Sequence, residues 1–224
     1  MNFEKILFAI EITGTIAFAI TGVITAIEKK LDILGAIVLG TVPAVGGGIL
    51  RDIILGYLPP LAFRNPVYAL TAIITSVAVF VIAFFVGKKI VRHFEIYSQV
   101  INFFDSLGLA FFVVAGINTA SECGFGDNAF LSIFVAVLTG CGGGVLRDIL
   151  AGRVPKILRR RVYALAAILG AIIYYYLLEF GIFSQTVSML IGAGSVMVIR
   201  ILATVFHWNL PTVNNISEQK NASD

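Results

Sequence analysis

The sequence predicts an all-α polytopic membrane protein, with seven transmembrane helices arranged as two inverted three-helix repeats plus a seventh helix. Three observations carry that reading. Hydrophobic residues make up 58% of the 224 residues and charged residues only 13%, and mean hydropathy is +0.97. Soluble domains carry roughly 25% charged residues, so this chain has too few charges to coat a water-soluble globule, which excludes a soluble enzyme, a disordered tail protein and a basic nucleic-acid binder. Seven stretches also approach the length of about 20 apolar residues that a bilayer crossing needs. Finally, one fourteen-residue block occurs twice in the chain.

The seven predicted spans are Ile6–Ile27, Ile33–Leu50, Val67–Val86, Phe103–Ala120, Ala129–Leu146, Val162–Leu178 and Thr186–Phe206. Helix is the assignment because strands of a membrane barrel would carry a polar residue at every second position. The N-terminus lacks a strongly basic region and Glu11 interrupts its apolar run, so the first segment reads as a retained span and not as a cleaved signal. The spans divide into a first repeat over 1–92, a second over 93–184, the seventh helix over 185–208 and a polar tail over 209–224.

Basic residues set the orientation. With the N-terminus outside, Lys29, Lys30, Lys88, Lys89, Arg92, Arg147, Arg153, Lys156, Arg159, Arg160, Arg161, Arg200 and Lys220 fall on the cytoplasmic side, against Lys5, Arg51 and Arg64 opposite. Thirteen against three places the N-terminus outside and the C-terminus in the cytoplasm.

The repeated block reads GGGILRDIILGYLP over 46–59 and GGGVLRDILAGRVP over 142–155, identical at nine of fourteen positions. Upstream, Gly14, Phe18, Gly22, Thr25 and Ala26 answer Gly108, Phe112, Gly116, Thr119 and Ala120; downstream, Tyr68-Ala69-Leu70 answers Tyr163-Ala164-Leu165. Three spans per unit is an odd number, so the second unit enters the membrane upside down. Inverted repeats are a recurring plan of transport proteins, with the pathway at the interface between halves.

Each block puts three glycines, Gly46, Gly47, Gly48 and Gly142, Gly143, Gly144, near the end of the second helix of its repeat. A triplet lowers helix propensity by about 3 kcal/mol relative to alanine, which invites a kink or an opened turn; close helix packing is the alternative. The charged pairs Arg51-Asp52 and Arg147-Asp148 follow one turn later. Charges at that depth are turned inward, paired or hydrated. Adjacent helical residues do not face each other, so the pseudo-twofold offers cross-repeat pairs, Arg51 with Asp148 and Arg147 with Asp52, or else each arginine snorkels to the interface.

Thr21 and Thr25, one turn apart, and Thr119, the repeat-mate of Thr25, are candidates to line a wet path, or else bond their own helix carbonyls. Glu11 reads as a residue near the outer headgroups, with a pore-mouth role as the alternative, and Asp105 as an N-terminal cap or first-turn acid. Cys123 and Cys141 form no metal-binding spacing, and no catalytic or metal motif is found. Because Ala is the better helix former, Gly47→Ala and Gly143→Ala are expected to be tolerated thermodynamically.

Two G-G-G-x-x-R-D motifs in a seven-span chain resemble the prokaryotic members of the trimeric intracellular cation (TRIC) channel family, also labelled a glycine transporter domain. The resemblance covers about Ile6 to Phe206. It implies a homotrimer in a prokaryotic inner membrane, with a separate pore in each protomer constricted where the second and fifth spans kink at Gly46–Gly48 and Gly142–Gly144. It further implies K⁺ as the permeant ion, with Na⁺ also passing, no cofactor, and membrane lipid as a partner. Animal members carry a basic K-E-V-x-R-x-x-K motif on the fourth span; here that span reads FFDSLGLAFFVVAGINTA without Lys or Arg, so phosphoinositide binding is not implied. The small-residue strips of the first and fourth spans, with Gly14/Gly22 and Gly108/Gly116, are expected at the subunit interface. A secondary transporter for glycine or a similar small zwitterion is the competing function, since inverted repeats suit a midplane amino-acid site equally well.

Overall fold

The structure is a computed structural model that describes residues 3–86, 94–159, 162–206 and 208. Seven helices among these residues are long and apolar enough to cross a membrane, and the chain is an integral membrane protein. Lys88, Lys89, Arg92, Arg160, Arg161, Lys220, the repeat boundary at 92/93 and the tail 209–224 lie outside the described residues.

In chain order the helices are α1 (Phe3–Glu28), α2 (Ile33–Ile54), the short α3 (Leu61–Arg64), α4 (Val67–Val86), α5 (Phe94–Ala120), α6 (Ala129–Leu150), the short α7 (Lys156–Arg159), α8 (Val162–Glu179) and α9 (Gln185–Val205). A five-residue π-type turn, Ser121–Phe125, closes α5. Each repeat packs its own three spans together, α1–α2–α4 and α5–α6–α8, while α9 lies on α8 and α5. The halves join along α2–α6 and α1–α5.

The repeat is visible in the local chemistry of α2 and α6. Asp32 and Asn128 cap them, accepting from Gly35 N at 2.7 Å and Leu131 N at 3.0 Å, which satisfies amide groups that the first turn leaves free. Both end at a glycine in the left-handed region, Gly56 (φ 70°) and Gly152 (φ 64°), where a residue without Cβ is needed. There the next amides turn back, Tyr57 N to Asp52 O and Arg153 N to Asp148 O, each at 2.8 Å.

Three expectations are corrected. First, several helices run longer than their apolar stretches. Those of α2 and α6 continue to Ile54 and Leu150, so both Arg-Asp pairs sit inside the last turns. The α5 helix begins at Phe94, which places Asp105 in mid-helix and fully buried, not in a first turn. Second, the faces of α1 and α5 offered for subunit contact are used inside the protomer. A Cβ on Gly22 would lie 1.9 Å from Leu39 O, one on Gly116 2.5 Å from Ala136 Cα, and one on Gly108 3.0 Å from the Phe18 ring. Ala17, Ala115, Ala167 and Ala171 are likewise buried in the chain's own core. These residues let helices approach closely where lipid gives no hydrophobic drive to associate.

Third, the triglycines do not open the backbone. Residues 46–48 and 142–144 are helical throughout, and no glycine among them has positive φ. Gly47 and Gly143 form instead the crossing of α2 and α6. A Cβ on Gly47 would stand 2.3 Å from Thr139 O, and one on Gly143 2.3 Å from Pro43 O, positions related by the repeat. Alanine is therefore not tolerated at these two positions as helix propensity alone suggests.

Candidate functional site

Two charged clusters flank that crossing, one at each end of the bundle. At the end where α1 begins, the α2 pair Arg51–Asp52 meets Glu11 of α1 and Tyr68 of α4. At the other end, the α6 pair Arg147–Asp148 meets Asp105 of α5, Tyr163 of α8, Arg200 of α9 and Lys156 of α7. Glu11 and Asp105 occupy the same repeat position, counted from the Gly14/Gly108 match. Opposite helix directions in the two repeats carry equivalent motifs to opposite ends.

The cross-repeat ion pairs are corrected by this placement. Arg51 and Arg147 each stand four residues beyond the crossing in opposite directions, a separation of about 12 Å at 1.5 Å per residue. Each arginine folds back onto its neighbour instead. The Nε and Nη2 of Arg51 meet Asp52 Oδ1 at 2.8 Å; those of Arg147 meet Asp148 Oδ1 at 3.0 and 2.9 Å. The second carboxylate oxygen holds the returning chain: Asp52 Oδ2 accepts from Leu61 N at 2.7 Å, and Asp148 Oδ2 from Lys156 N at 2.9 Å. Burial of all four residues is tolerable because each charge is paired and hydrogen-bonded. The Arg-Asp dipeptide thus ties the helix end to its return loop.

Beyond this shared frame the halves differ. Glu11 is 9% exposed and accepts from the Tyr68 hydroxyl at 2.5 Å, so its side chain faces the protein interior. Around it lies a cavity of about 360 Å³, including its open mouth, lined by Thr15, Gly48, Arg51, Asp52, Tyr68 and Phe112 among others. Gly48 faces open space there, its added Cβ meeting only Arg51 Nη2 at 3.8 Å. This is the first vestibule.

In the second half the acid goes to the arginine. Arg147 Nη1 donates to Asp105 Oδ1 at 2.7 Å and to Thr21 Oγ1 at 3.0 Å. Lys156 Nζ approaches Asp105 Oδ2 at 3.5 Å, and Arg200 donates from Nε to Ser106 Oγ at 3.2 Å with its guanidinium 4.6 Å from the Tyr163 ring centroid. Gly144 has no open space: its Cβ would sit 3.1 Å from the Tyr163 hydroxyl. Three cations face two carboxylates, so the second cluster carries a positive surplus. Lys156, which lies between spans, is pushed down to about 8 by burial, against the opposing pull of Asp105.

Of the predicted residues, the structure brings Gly48, Arg51 and Asp52 to the first vestibule, and Thr21, Gly144, Arg147 and Asp148 to the second cluster. Gly47, Gly142 and Gly143 form the crossing between them, with Gly46 packed against Leu146. Thr25 and Thr119 line no part of the cavity; their hydroxyls donate to Thr21 O at 2.8 Å and Ala115 O at 3.0 Å on their own helices. Sequence reasoning missed Glu11 as the partner of Tyr68 beside Arg51, and Asp105 as the partner of Arg147 beside Tyr163. The signal was present: both acids stand three residues before the matched glycines Gly14 and Gly108, and both tyrosines were already aligned.

A family model described as "Glycine transporter" matches residues 8–83 and 102–179. The UPF0126 membrane protein of Vibrio cholerae is 35% identical over 93% of this chain and 83% of its own length. The UPF0126 inner membrane protein YadS of Escherichia coli K12 is 35% identical over 92% of this chain and 96% of its own. Among solved structures, the TRIC trimeric intracellular cation channel orthologue from Rhodobacter sphaeroides superposes with a TM-score of 0.81 at 31% identity, covering 91% of this chain and 99% of that one. A prokaryotic TRIC channel in 0.5 M KCl also gives 0.81 at 31% identity, over 93% and 100% of the two chains.

Proposed function

The chain belongs to the glycine-transporter membrane family, and from that premise we propose that it is a monovalent-cation channel, passing K⁺ and also Na⁺, with one pore in each protomer of a homotrimer. The observation that carries this reading is the placement of two charged clusters, the first with an open cavity, on either side of a glycine-lined helix crossing. The pathway runs from Glu11, Arg51 and Asp52 past Gly46–Gly48 and Gly142–Gly144 to Thr21, Asp105, Arg147 and Asp148. Along it, carboxylates and the Pro43 and Thr139 carbonyls beside the crossing replace part of an ion's hydration shell. Likeness to solved TRIC channels at 31% identity over nearly the whole chain supports the same reading.

The crossing is too tight for an ion in this structure, so conduction requires α2 and α6 to part, and the triglycines are where helix propensity is weakest. The membrane is a prokaryotic inner membrane, with the N-terminus and first vestibule outside and the second cluster facing the cytoplasm. Subunit contacts then come from the outward faces of the bundle and not from the glycines of α1 and α5.

Single-channel recording of the purified protein in planar bilayers tests the proposal. Current steps that reverse near the cation equilibrium potential in asymmetric KCl or NaCl are expected. A zwitterion carrier is favoured by one observation, the opposite charges of Glu11 and Arg51 around the first cavity; saturable glycine counterflow in proteoliposomes without current steps would establish it instead.

A pH effect follows from Lys156. Its amine stays charged below about 8 and loses its proton above, which removes the positive surplus of the second cluster. Cation flux is therefore expected to rise as pH passes through that value, and Lys156→Gln is expected to flatten the rise. The sign for stability is the same. Between about 8 and 10.5 the unfolded chain keeps a proton that the folded chain sheds, so this group's contribution to stability grows with pH across that window.

A further inference from the structure

The turn that joins the first two spans of each repeat starts alike in both halves and is charged differently. Counted from the Gly14/Gly108 match, Glu28 answers Glu122, Lys29 answers Cys123 and Lys30 answers Gly124. Lys30 and Gly124 both take positive φ, 57° and 84°, so the chain leaves the two helices at the same point. The first turn, 28–32, balances Glu28 and Asp32 with Lys29 and Lys30; the second, 121–128, carries Glu122 and Asp127 and no cation.

The partners differ in the same sense. Arg153, in the return loop of α6, holds Glu28 at 2.6 Å. By the doubled block the residue that answers Arg153 is Tyr57, which has no charge to offer Glu122. Glu122 is exposed, and among the described residues no ion pair reaches it. Two cations stand at this end: Arg51 is taken by Asp52 at 2.8 Å, and Arg64 lies over the Tyr57 ring at 4.0 Å and donates to Leu58 O and Pro59 O at 2.6 and 2.7 Å. Glu122 interacts electrostatically with Glu11 and Tyr68, both of which line the first cavity. Its neighbour Cys123 packs against Leu55, Ala120 and Val135, beside the end of α2. Asp127 acts instead on Tyr175, together with Glu179.

We propose that Glu122 gathers cations at the mouth of the first vestibule, and that the Glu28–Arg153 pair denies the other mouth an equivalent charge. A carboxylate beside low-dielectric walls raises the local concentration of counter-ions, an effect that salt screens. The pore is therefore asymmetric. At low salt, cations enter from the first vestibule more readily than from the second cluster, and single-channel current rectifies.

The inference rests on the channel reading, so its test pairs current with a readout that needs no conduction. That readout is the reaction of Cys123, half-buried beside Glu122, with a cationic and an anionic methanethiosulfonate on the full chain in liposomes. The ratio of the two rates cancels the thiol's own reactivity, and peptide mass spectrometry separates Cys123 from Cys141, which is 3% exposed. The cationic reagent is expected to react several-fold faster at about 0.01 M salt, where the Debye length is about 30 Å, and to lose that preference at about 1 M. Glu122→Gln is expected to remove the preference and Glu122→Asp to keep it. In planar bilayers at low salt, Glu122→Gln is expected to lower the larger limb of the current–voltage curve several-fold, with no effect at high salt. Arg153→Gln, which frees Glu28, is expected to raise the smaller limb, an outcome that lost packing alone does not produce. Equal rates for the two reagents, or a wild-type current that Glu122→Gln leaves unchanged at low salt, would overturn the proposal. A wild type that shows the reagent preference but no current at any salt would instead remove the channel reading on which the inference rests.

Discussion

Arg147→Met is expected to be the most damaging single substitution of a charged residue in this chain, destabilising it by about 3–5 kcal/mol, the usual cost of breaking a buried charge pair. Arg147 answers two carboxylates, Asp105 and Asp148, and the Thr21 hydroxyl at once. Methionine fills much of the volume but leaves Asp105 fully buried with only Lys156 near its second oxygen. Arg51→Met is expected to cost clearly less. Asp52 keeps its bond from Leu61 N and borders a cavity open to water, which can hydrate the stranded charge. Unfolding in mild detergent, followed by intrinsic fluorescence, ranks the two variants. Adding Asp105→Asn to Arg147→Met is expected to recover part of the loss, a coupling that a double-mutant cycle measures; additive losses would show that the two groups act independently.

Gly143→Ala is expected to force α2 and α6 apart and to abolish cation flux, and Gly47→Ala to do the same. The added methyl meets backbone oxygen at 2.3 Å in both cases, Pro43 O or Thr139 O. Backbone cannot swing away as a long side chain can, and overpacking of this kind costs about 1–3 kcal/mol, more than the roughly 1 kcal/mol alanine returns in helix propensity. Gly48→Ala is the internal comparison. Its methyl enters the first vestibule against nothing closer than Arg51 Nη2 at 3.8 Å, so it is expected to keep or raise thermal stability while narrowing the cavity. Equal melting temperatures for Gly47→Ala and wild type would remove the packing account and return these glycines to a hinge role alone.

Much of the architecture was legible without coordinates. Bilayer length and apolar composition mark all seven spans, because no other element can satisfy its backbone inside lipid. The doubled GGGxxRD block predicts which segments matter, since three glycines and a charge pair are too costly in an apolar helix to be incidental.

What the tertiary structure decided is who meets whom. Sequence placed Arg51, Asp52, Arg147 and Asp148 at the ends of apolar spans, where buried charges must be compensated. It did not determine that each arginine would turn to its neighbour, because that depends on the two motifs being carried to opposite ends by inverted helices. Glu11 and Asp105 looked like acids near helix starts until folding buried them beside tyrosines 57 or 58 residues away in sequence. The triglycines could serve bending or packing equally by composition, and only the 2.3 Å approach to Thr139 O and Pro43 O shows that packing governs Gly47 and Gly143. Spacing within a helix is set by residues three or four apart, whereas contact across helices is set by crossing geometry, and a linear pattern holds the first but not the second.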